Sequence, residues 1–299
     1  MPRSRLSSLV LSGIVLFTGC HATSPKIGAG PSAAQKTVTI RGKVLSVDSP
    51  TIVLDGEAVP GFMEAMAMPY KLSDPSVASE LHPGDRITAT VLSDHTPEGY
   101  TNLRLDNIVV TAQARPDYLP AIQYHVPKSG DIVPDFNFIN QSDRVIHLGQ
   151  FKGEIVLLTF IYTRCQLADF CPRMSQNFAD VEKALAGDPA LYKQTHLITV
   201  SFDPTYDTPK VLRSYGAAYT GNSTKKRFQH WDFAAPPAKE LPAVTQFFNV
   251  GVTPGDSKSL THSLSTVLIG KDGKIVDWYP SNDWKPTDVV AEIRQTAAA

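Results

Sequence analysis

The sequence predicts a two-domain α+β chain, a small all-β barrel followed by an α/β domain. Three observations predict it. Residues 37–112 carry short β-rich runs between Pro/Gly turns, with no helix of ordinary length. From residue 131 onward, largely apolar runs alternate with helical patterns, the order of a sheet covered by helices. Cys165 and Cys171 share one loop between such an apolar run and a helix.

Residues 1–19 read as a signal peptide. Arg3 and Arg5 supply its positive start, and the apolar stretch 6–17 is too short to span a bilayer. Phe17-Thr18-Gly19-Cys20 resembles a bacterial lipobox. That resemblance implies cleavage before Cys20, lipid on its thiol, and an exported lipoprotein held to a membrane at its periplasmic face. Residues 20–36 are small and polar, with Pro25 and Pro31, and read as a flexible tether. The net charge of −1 and the lack of a basic run argue against a nucleic-acid partner.

In the barrel, β-rich runs fall at 38–47, 51–54, 86–92, 100–105 and 108–111. Turns at Ser49-Pro50, Pro83-Gly84-Asp85 and Pro97-Glu98-Gly99 separate them. Five short strands in so few residues fit a closed barrel of OB type. Within it lie Met63, Met66 and Met68, three of the five methionines in the chain. Met66 and Met68 alternate, so on a strand they share a face. Thioethers are soft, neutral ligands suited to Cu(I), whereas scattered methionines more often fill irregular cores. Gly42-Lys43-Val44, Ala65-Met66-Ala67-Met68-Pro69 and Gly84-Asp85 together resemble the periplasmic copper-binding CusF family. The resemblance implies Cu(I) bound by a histidine and two methionines under a tryptophan, with Met66 and Met68 as the methionine pair. Here Met63 stands in place of the tryptophan, and no histidine occurs near Gly56. The barrel site is therefore all-thioether, weaker than the family's, or lost.

Residues 113–130, with Pro116, Pro120, Pro127 and Gly130, read as a partly packed linker. Residues 131–299 form the second domain. A hairpin is expected at 136–139 and 145–148, a buried strand at 155–161, a helix at 173–186 and a second buried strand at 195–202. Helices follow at 208–219, closed by Gly221, and at 237–250. Strands at 263–269 and 274–279 flank the turn Lys271-Asp272-Gly273, and an amphipathic helix ends the pattern at 286–295. This order is that of a thioredoxin-like fold.

Cys171 opens the helix, with Pro172 at its first turn. The helix dipole is expected to favour its thiolate. In an exported protein two neighbouring thiols are ordinarily a disulfide. A chain of 299 residues buries enough core to need no such staple, so the pair points to function. Two thiolates on one loop bind a soft metal or exchange electrons as a disulfide. His262 bears on the choice. It precedes the strand that lies beside the cysteine-bearing strand in a thioredoxin-like fold. An imidazole there completes a Cys2His set, a trigonal site for Cu(I) and, with an added ligand, for Cu(II). His82, His95 and His230 have no soft neighbours in sequence and read as structural or surface residues.

Phe160-Ile161-Tyr162-Thr163-Arg164-Cys165, Phe170-Cys171-Pro172, Ser201-Phe202-Asp203-Pro204, Asp207-Thr208-Pro209, Thr261-His262-Ser263 and Asp272-Gly273 resemble the SCO/SenC family. The resemblance covers nearly the whole second domain. It implies a copper chaperone for cytochrome c oxidase assembly, with Cys165, Cys171 and His262 as ligands. The partner it implies is the oxidase copper-site subunit or another cuproprotein. Family members also reduce that subunit's cysteines, so a thiol-disulfide oxidoreductase with Cys165 and Cys171 as the redox pair is the alternative. The chain departs from the pattern in its longer gap between the cysteines and in Gln166, where the family has a proline. A longer loop costs little closure entropy. Asp169 is expected either to raise a nearby thiol pKa or to hold the loop backbone. Asp203 is expected to support the site or to form a plain Asp-Pro turn.

Overall fold

The computed structural model describes residues 34–96, 99–118, 122–220, 228–254 and 260–299. The signal peptide, Cys20, the turn residues Pro97 and Glu98, Pro120 and Gly221 lie outside the described residues. Among the described residues no helix is long and apolar enough to cross a membrane.

Five strands make the barrel: β1 (Ala34–Asp48), β2 (Thr51–Gly56), β3 (Met66–Leu72), β4 (Arg86–Thr96) and β5 (Gly99–Ala112). They close in the order β1-β2-β3-β5-β4. The strands expected at 100–105 and 108–111 are one strand, β5, and the fifth strand is the methionine segment itself. Asn102 and Asn107 explain the apparent break. Both adopt positive φ (53° and 49°), which Asn tolerates, so the strand kinks without ending. Alternation sends Ile40, Val44, Ile52, Leu54, Tyr70 and Leu72 into the barrel core. β3 pairs with β2 along its whole length but with β5 only at Lys71 and Leu72. The wall is therefore unzipped beside Met66 and Met68.

The second domain contains β6 (Asn137–Asn140), β7 (Val145–His147), β8 (Ile155–Ile161), α1 (Cys171–Ala186), α2 (Pro189–Tyr192), β9 (Thr195–Ser201) and α3 (Pro209–Tyr219). There follow β10 (Trp231–Ala235), α4 (Leu241–Phe247), β11 (Val252–Pro254), β12 (Leu260–His262), β13 (Thr266–Ile269), β14 (Ile275–Tyr279) and α5 (Pro286–Ala298). Seven strands form one mixed sheet in the order β14-β13-β8-β9-β10-β6-β7, and β11 pairs with β12 apart from it. This is the thioredoxin-like arrangement. Every residue of β8 and β9 is buried, as strands covered on both faces must be. Neighbours on β8 show the two faces. Thr159 hydrogen-bonds Thr266, whose hydroxyl is 4.0 Å from Met174 of α1. Phe160 points the other way, against Phe248 at the end of α4.

Several elements differ from expectation. β10 stands between β9 and β6 although no strand is expected there. Its sequence, Trp-Asp-Phe-Ala-Ala, has no period-2 pattern because all five residues are buried. Its Asp232 is held by His196 Nε2 (2.9 Å), Asn140 Nδ2 (2.8 Å) and Gln141 Nε2 (3.0 Å). The helix expected at 237–250 is shorter: Pro236 and Pro237 delay its start, and Asn249 at φ 57° turns the chain after it. The strand expected at 263–269 begins only at Thr266, and His262 belongs to the separate β11–β12 pair.

The described residues from 34 onward belong to a single compact unit, so the barrel is docked on the second domain. Leu45, Val53 and Ala67, pointing out of the barrel, pack with Val126 and against Trp278 of β14. The start of the linker is tied down too: Asp85 accepts the Ala114 N–H at 2.7 Å.

Burial works against ionisation of Asp232, but hydrogen bonds from His196, Gln141 and Asn140 hold its carboxyl below the usual value. Asp232→Ala leaves three buried groups without their acceptor, and we expect it to cost about 3–5 kcal/mol. A group with a lowered folded pKa stabilises above its unfolded pKa and loses that effect as the pH falls through the folded value. Urea unfolding of wild type and variant should therefore differ most near neutrality and converge on acidification.

Candidate metal centre

β8 delivers the chain to the site, and Asp207 fixes how it leaves the sheet. Asp207 is 1% exposed. It accepts from Thr163 N (3.0 Å), from the Thr163 hydroxyl and from Ser201 Oγ (2.5 Å). The ends of β8 and β9 are thereby clamped just before Cys165. Burial nonetheless raises its carboxyl above the ordinary range. Asp203 does two things. Its carbonyl accepts from Tyr206 N and Asp207 N, as an Asp-Pro turn requires. Its carboxylate binds Arg164 Nη2 at 2.5 Å, and that guanidinium stacks 4.1 Å over Tyr206.

The long gap between the cysteines folds as a turn. Phe170 N donates to Leu167 O at 3.0 Å, and Leu167 is left 59% exposed. Asp169 holds the loop through its backbone: its carbonyl accepts Asn282 Nδ2 at 2.8 Å, while its side chain faces solvent. Cys171 then opens α1, fully buried.

His262 reaches the cysteines from β12. Ser263 Oγ accepts the Gly251 N–H at 2.8 Å and Ser263 N donates to Gly251 O at 3.0 Å, fixing the backbone around the ring. Nδ1 lies 2.9 Å from Ser263 O. A carbonyl only accepts, so Nδ1 carries the proton and Nε2 presents a lone pair. Nε2 stands 3.4 Å from Cys171 Sγ. Tyr162, Phe170 and Phe202 wall the ring at centroid distances of 5.7, 5.7 and 4.7 Å.

The ligand atoms of Cys165, Cys171 and His262 lie within 4.8 Å of one another. Metal–sulfur bonds of about 2.3 Å and metal–imidazole bonds of about 2.0 Å would set three ligands about 4 Å apart. The donor set, two sulfurs and one imidazole with its proton on the far nitrogen, fits a soft monovalent or borderline ion with slight contraction.

The expectation of a favoured Cys171 thiolate is overturned. The interaction with Cys171 pulls Cys165 down to about 4, against burial. Burial pushes Cys171 well above the usual thiol range, and the charge on Cys165 adds to that. Desolvation of a fully enclosed sulfur outweighs a helix-terminal dipole of fractional charge. The half-buried sulfur is the one that ionises first, and burial keeps the enclosed one protonated.

Met66 and Met68 share the β3 face that carries Tyr70, and Met63 Sδ accepts the Tyr70 hydroxyl at 3.3 Å. Met63 and Met68 pack against the barrel core, and all three methionines line one cavity. Gly56 pairs with Met66 in the register, and Ile40 fills the space over it. His82 is exposed beside Asp85, His95 packs on Tyr100, and His230 packs on Tyr192. Sequence reasoning did not single out Asp207, Asn282 or the aromatic wall as site residues. Asp207 and Phe202 stand in motifs already noted; Asn282 carries no local signal.

The SCO1/SenC family model matches residues 125–298, and the model for the copper-binding periplasmic protein CusF matches residues 37–104. An SCO1 protein homolog of Bacillus subtilis is 28% identical over 169 residues, covering 55% of this chain and 82% of that protein. An SCO1/SenC family lipoprotein from Bacillus anthracis superposes with a TM-score of 0.49 at 21% identity, covering 58% of this chain and 99% of that one. Copper-bound ScoI of Bradyrhizobium japonicum gives a TM-score of 0.46 at 20% identity, covering 56% and 99%. With more than half its length matched by one family model, and with Cys165, Cys171 and His262 inside the matched segment, the chain belongs to the SCO1/SenC family.

Proposed function

We propose that the chain is a copper metallochaperone. It binds one copper ion through Cys165, Cys171 and His262 and delivers it for cytochrome c oxidase assembly, to the copper-site subunit or to another cuproprotein. The observation that carries this reading is the convergence of two sulfurs and an imidazole nitrogen from distant parts of the chain within 4.8 Å. Two thiolates and one imidazole suit Cu(I), and an added ligand extends the set to Cu(II). The chain acts at the periplasmic face, exported by residues 1–19 and anchored by lipid on Cys20. In the barrel, Met63, Met66 and Met68 hold Cu(I) through their thioethers.

One observation favours thiol–disulfide chemistry as a second reading. Cys165 is a half-buried thiolate backed by a protonated, enclosed Cys171. That is the division of labour of an attacking and a resolving thiol. The Cys165 thiolate would attack a partner disulfide and release one partner thiolate. Cys171 would then close the intrachain disulfide and release the second.

Anaerobic Cu(I) titration against a chromophoric chelator separates the two readings. His262→Ala should weaken the tight site at least about tenfold, since even outer-shell changes cost metal sites that much. Cys171→Ser should abolish it. Reduction of disulfides that survives in His262→Ala, with unaltered copper affinity, would favour the oxidoreductase. Alkylation of the metal-free chain gives a further check. A thiolate with its pKa lowered to about 4 stays deprotonated above that pH, so Cys165 should react at a nearly constant rate from pH 5 to 8 and slow only near pH 4. Cys171 should stay unmodified throughout.

A further inference from the structure

A cavity of about 610 Å³ lies at the seam between barrel and second domain. Met63, Met66 and Met68 line it from the barrel, and His262 and Phe170 line it from the second domain. Neither cysteine is part of its wall. Cys171 lies behind His262, which is the one member of the cluster in contact with both the cavity and a sulfur. The opening on the barrel side is the unzipped stretch of β3, faced by Tyr100 and Leu103 of β5.

The seam is held at several points. Thr253 Oγ1 donates to Ala65 O at 3.3 Å, one residue before Met66. Gly251 sits so close to β3 that a Cβ there would lie 2.2 Å from Ala67 O. Gly251 is also the residue whose backbone positions His262 through Ser263. The strand that carries the thioethers and the hairpin that carries the imidazole therefore touch backbone to backbone.

We propose that the barrel is the intrachain copper donor: Cu(I) held by the thioethers of Met63, Met66 and Met68 crosses this chamber to His262 and settles on Cys171 and Cys165. The proposal rests on the reading of Cys165, Cys171 and His262 as a Cu(I) site. Copper stays Cu(I) throughout. Thioether–copper bonds break as bonds form to His262 Nε2 and the two sulfurs. Cys165 enters as a thiolate, and Cys171 gives its thiol proton to solvent. Neutral thioethers bind a cation more weakly than a set containing thiolates, which gives the transfer its direction. A fixed partner a cavity's width away acts as a high effective concentration, so the transfer step is unimolecular.

The test uses the full, reduced chain, given one equivalent of Cu(I) as its acetonitrile complex under anaerobic conditions. Stopped-flow absorbance in the near ultraviolet follows thiolate–copper formation. Wild type should show a first-order phase whose rate does not change on diluting protein and copper together. Met66→Leu/Met68→Leu keeps the packing volume and removes the sulfurs. It should slow loading at least about tenfold at low micromolar concentration, with the final affinity of the cluster unchanged. Loading of the variant at the wild-type rate, or purely second-order loading of wild type, overturns the relay and leaves the Cys2His reading intact. No thiolate–copper band in wild type, even at equilibrium, overturns that reading and the relay with it. The wild-type dilution series decides the matter even if the variant does not fold.

Discussion

The antiparallel pairing of β13 with β8 is the constraint on which the site depends. Thr159 lies opposite Thr266, and their hydroxyls meet at 2.8 Å in the core. That register places the residues after β8 beside the residues before β13. Cys171 and His262, 91 positions apart, are brought to 3.4 Å by it. A slip of one residue would turn every side chain of β13 to the wrong face. The cluster is thus a by-product of sheet register, and the local loops only trim it. Asp207 trims the cysteine side by clamping β8 to β9, and Ser263 trims the histidine side by tying β12 to Gly251.

Enclosure then decides the chemistry of each sulfur. Cys171, the first residue of α1, is fully buried, so its charged form is costly. Cys165 stands nearer solvent, and its interaction with Cys171 lowers its pKa. A cation at the centre would reverse the cost of charging Cys171, because a coordinated thiol is deprotonated outright. The apo site therefore holds one negative charge ready and a second in reserve. Phe202, Tyr162 and Phe170 pack around the His262 ring.

Much of this was legible from residue types and spacing, and the reasons for the rest are specific. β8 announces itself as an apolar run broken only by Thr159, and the cysteines fall between it and the body of α1 as their order requires. β10 was not legible because a strand buried on both faces, only five residues long and containing Asp232, offers no periodicity. Its carboxylate makes sense only once His196, Asn140 and Gln141 are beside it. The β11–β12 pair was hidden by strands of three residues each. The ionisation order of the cysteines was misjudged because a dipole can be read from sequence and depth of burial cannot. The barrel gave the right number of strands with one wrong member, since a kinked β5 resembles two strands and the methionine segment carries Pro69.

The docking of the barrel changes what its methionines can mean. On a flexible tether, a thioether site would face solvent in all directions, and any copper it released would be shared with every competing ligand. Here the outward side of β1, β2 and β3 is spent on Val126 and Trp278, and the unzipped side of β3 opens on a chamber that His262 also lines. Holding two domains in one orientation gives up the entropy of the linker, which burial of Leu45, Val53, Ala67 and Val126 at the seam offsets. The fixed orientation puts the three methionines and His262 on the wall of one chamber. The closeness of Gly251 to Ala67 makes the arrangement specific, because no other residue type permits that approach without moving β3.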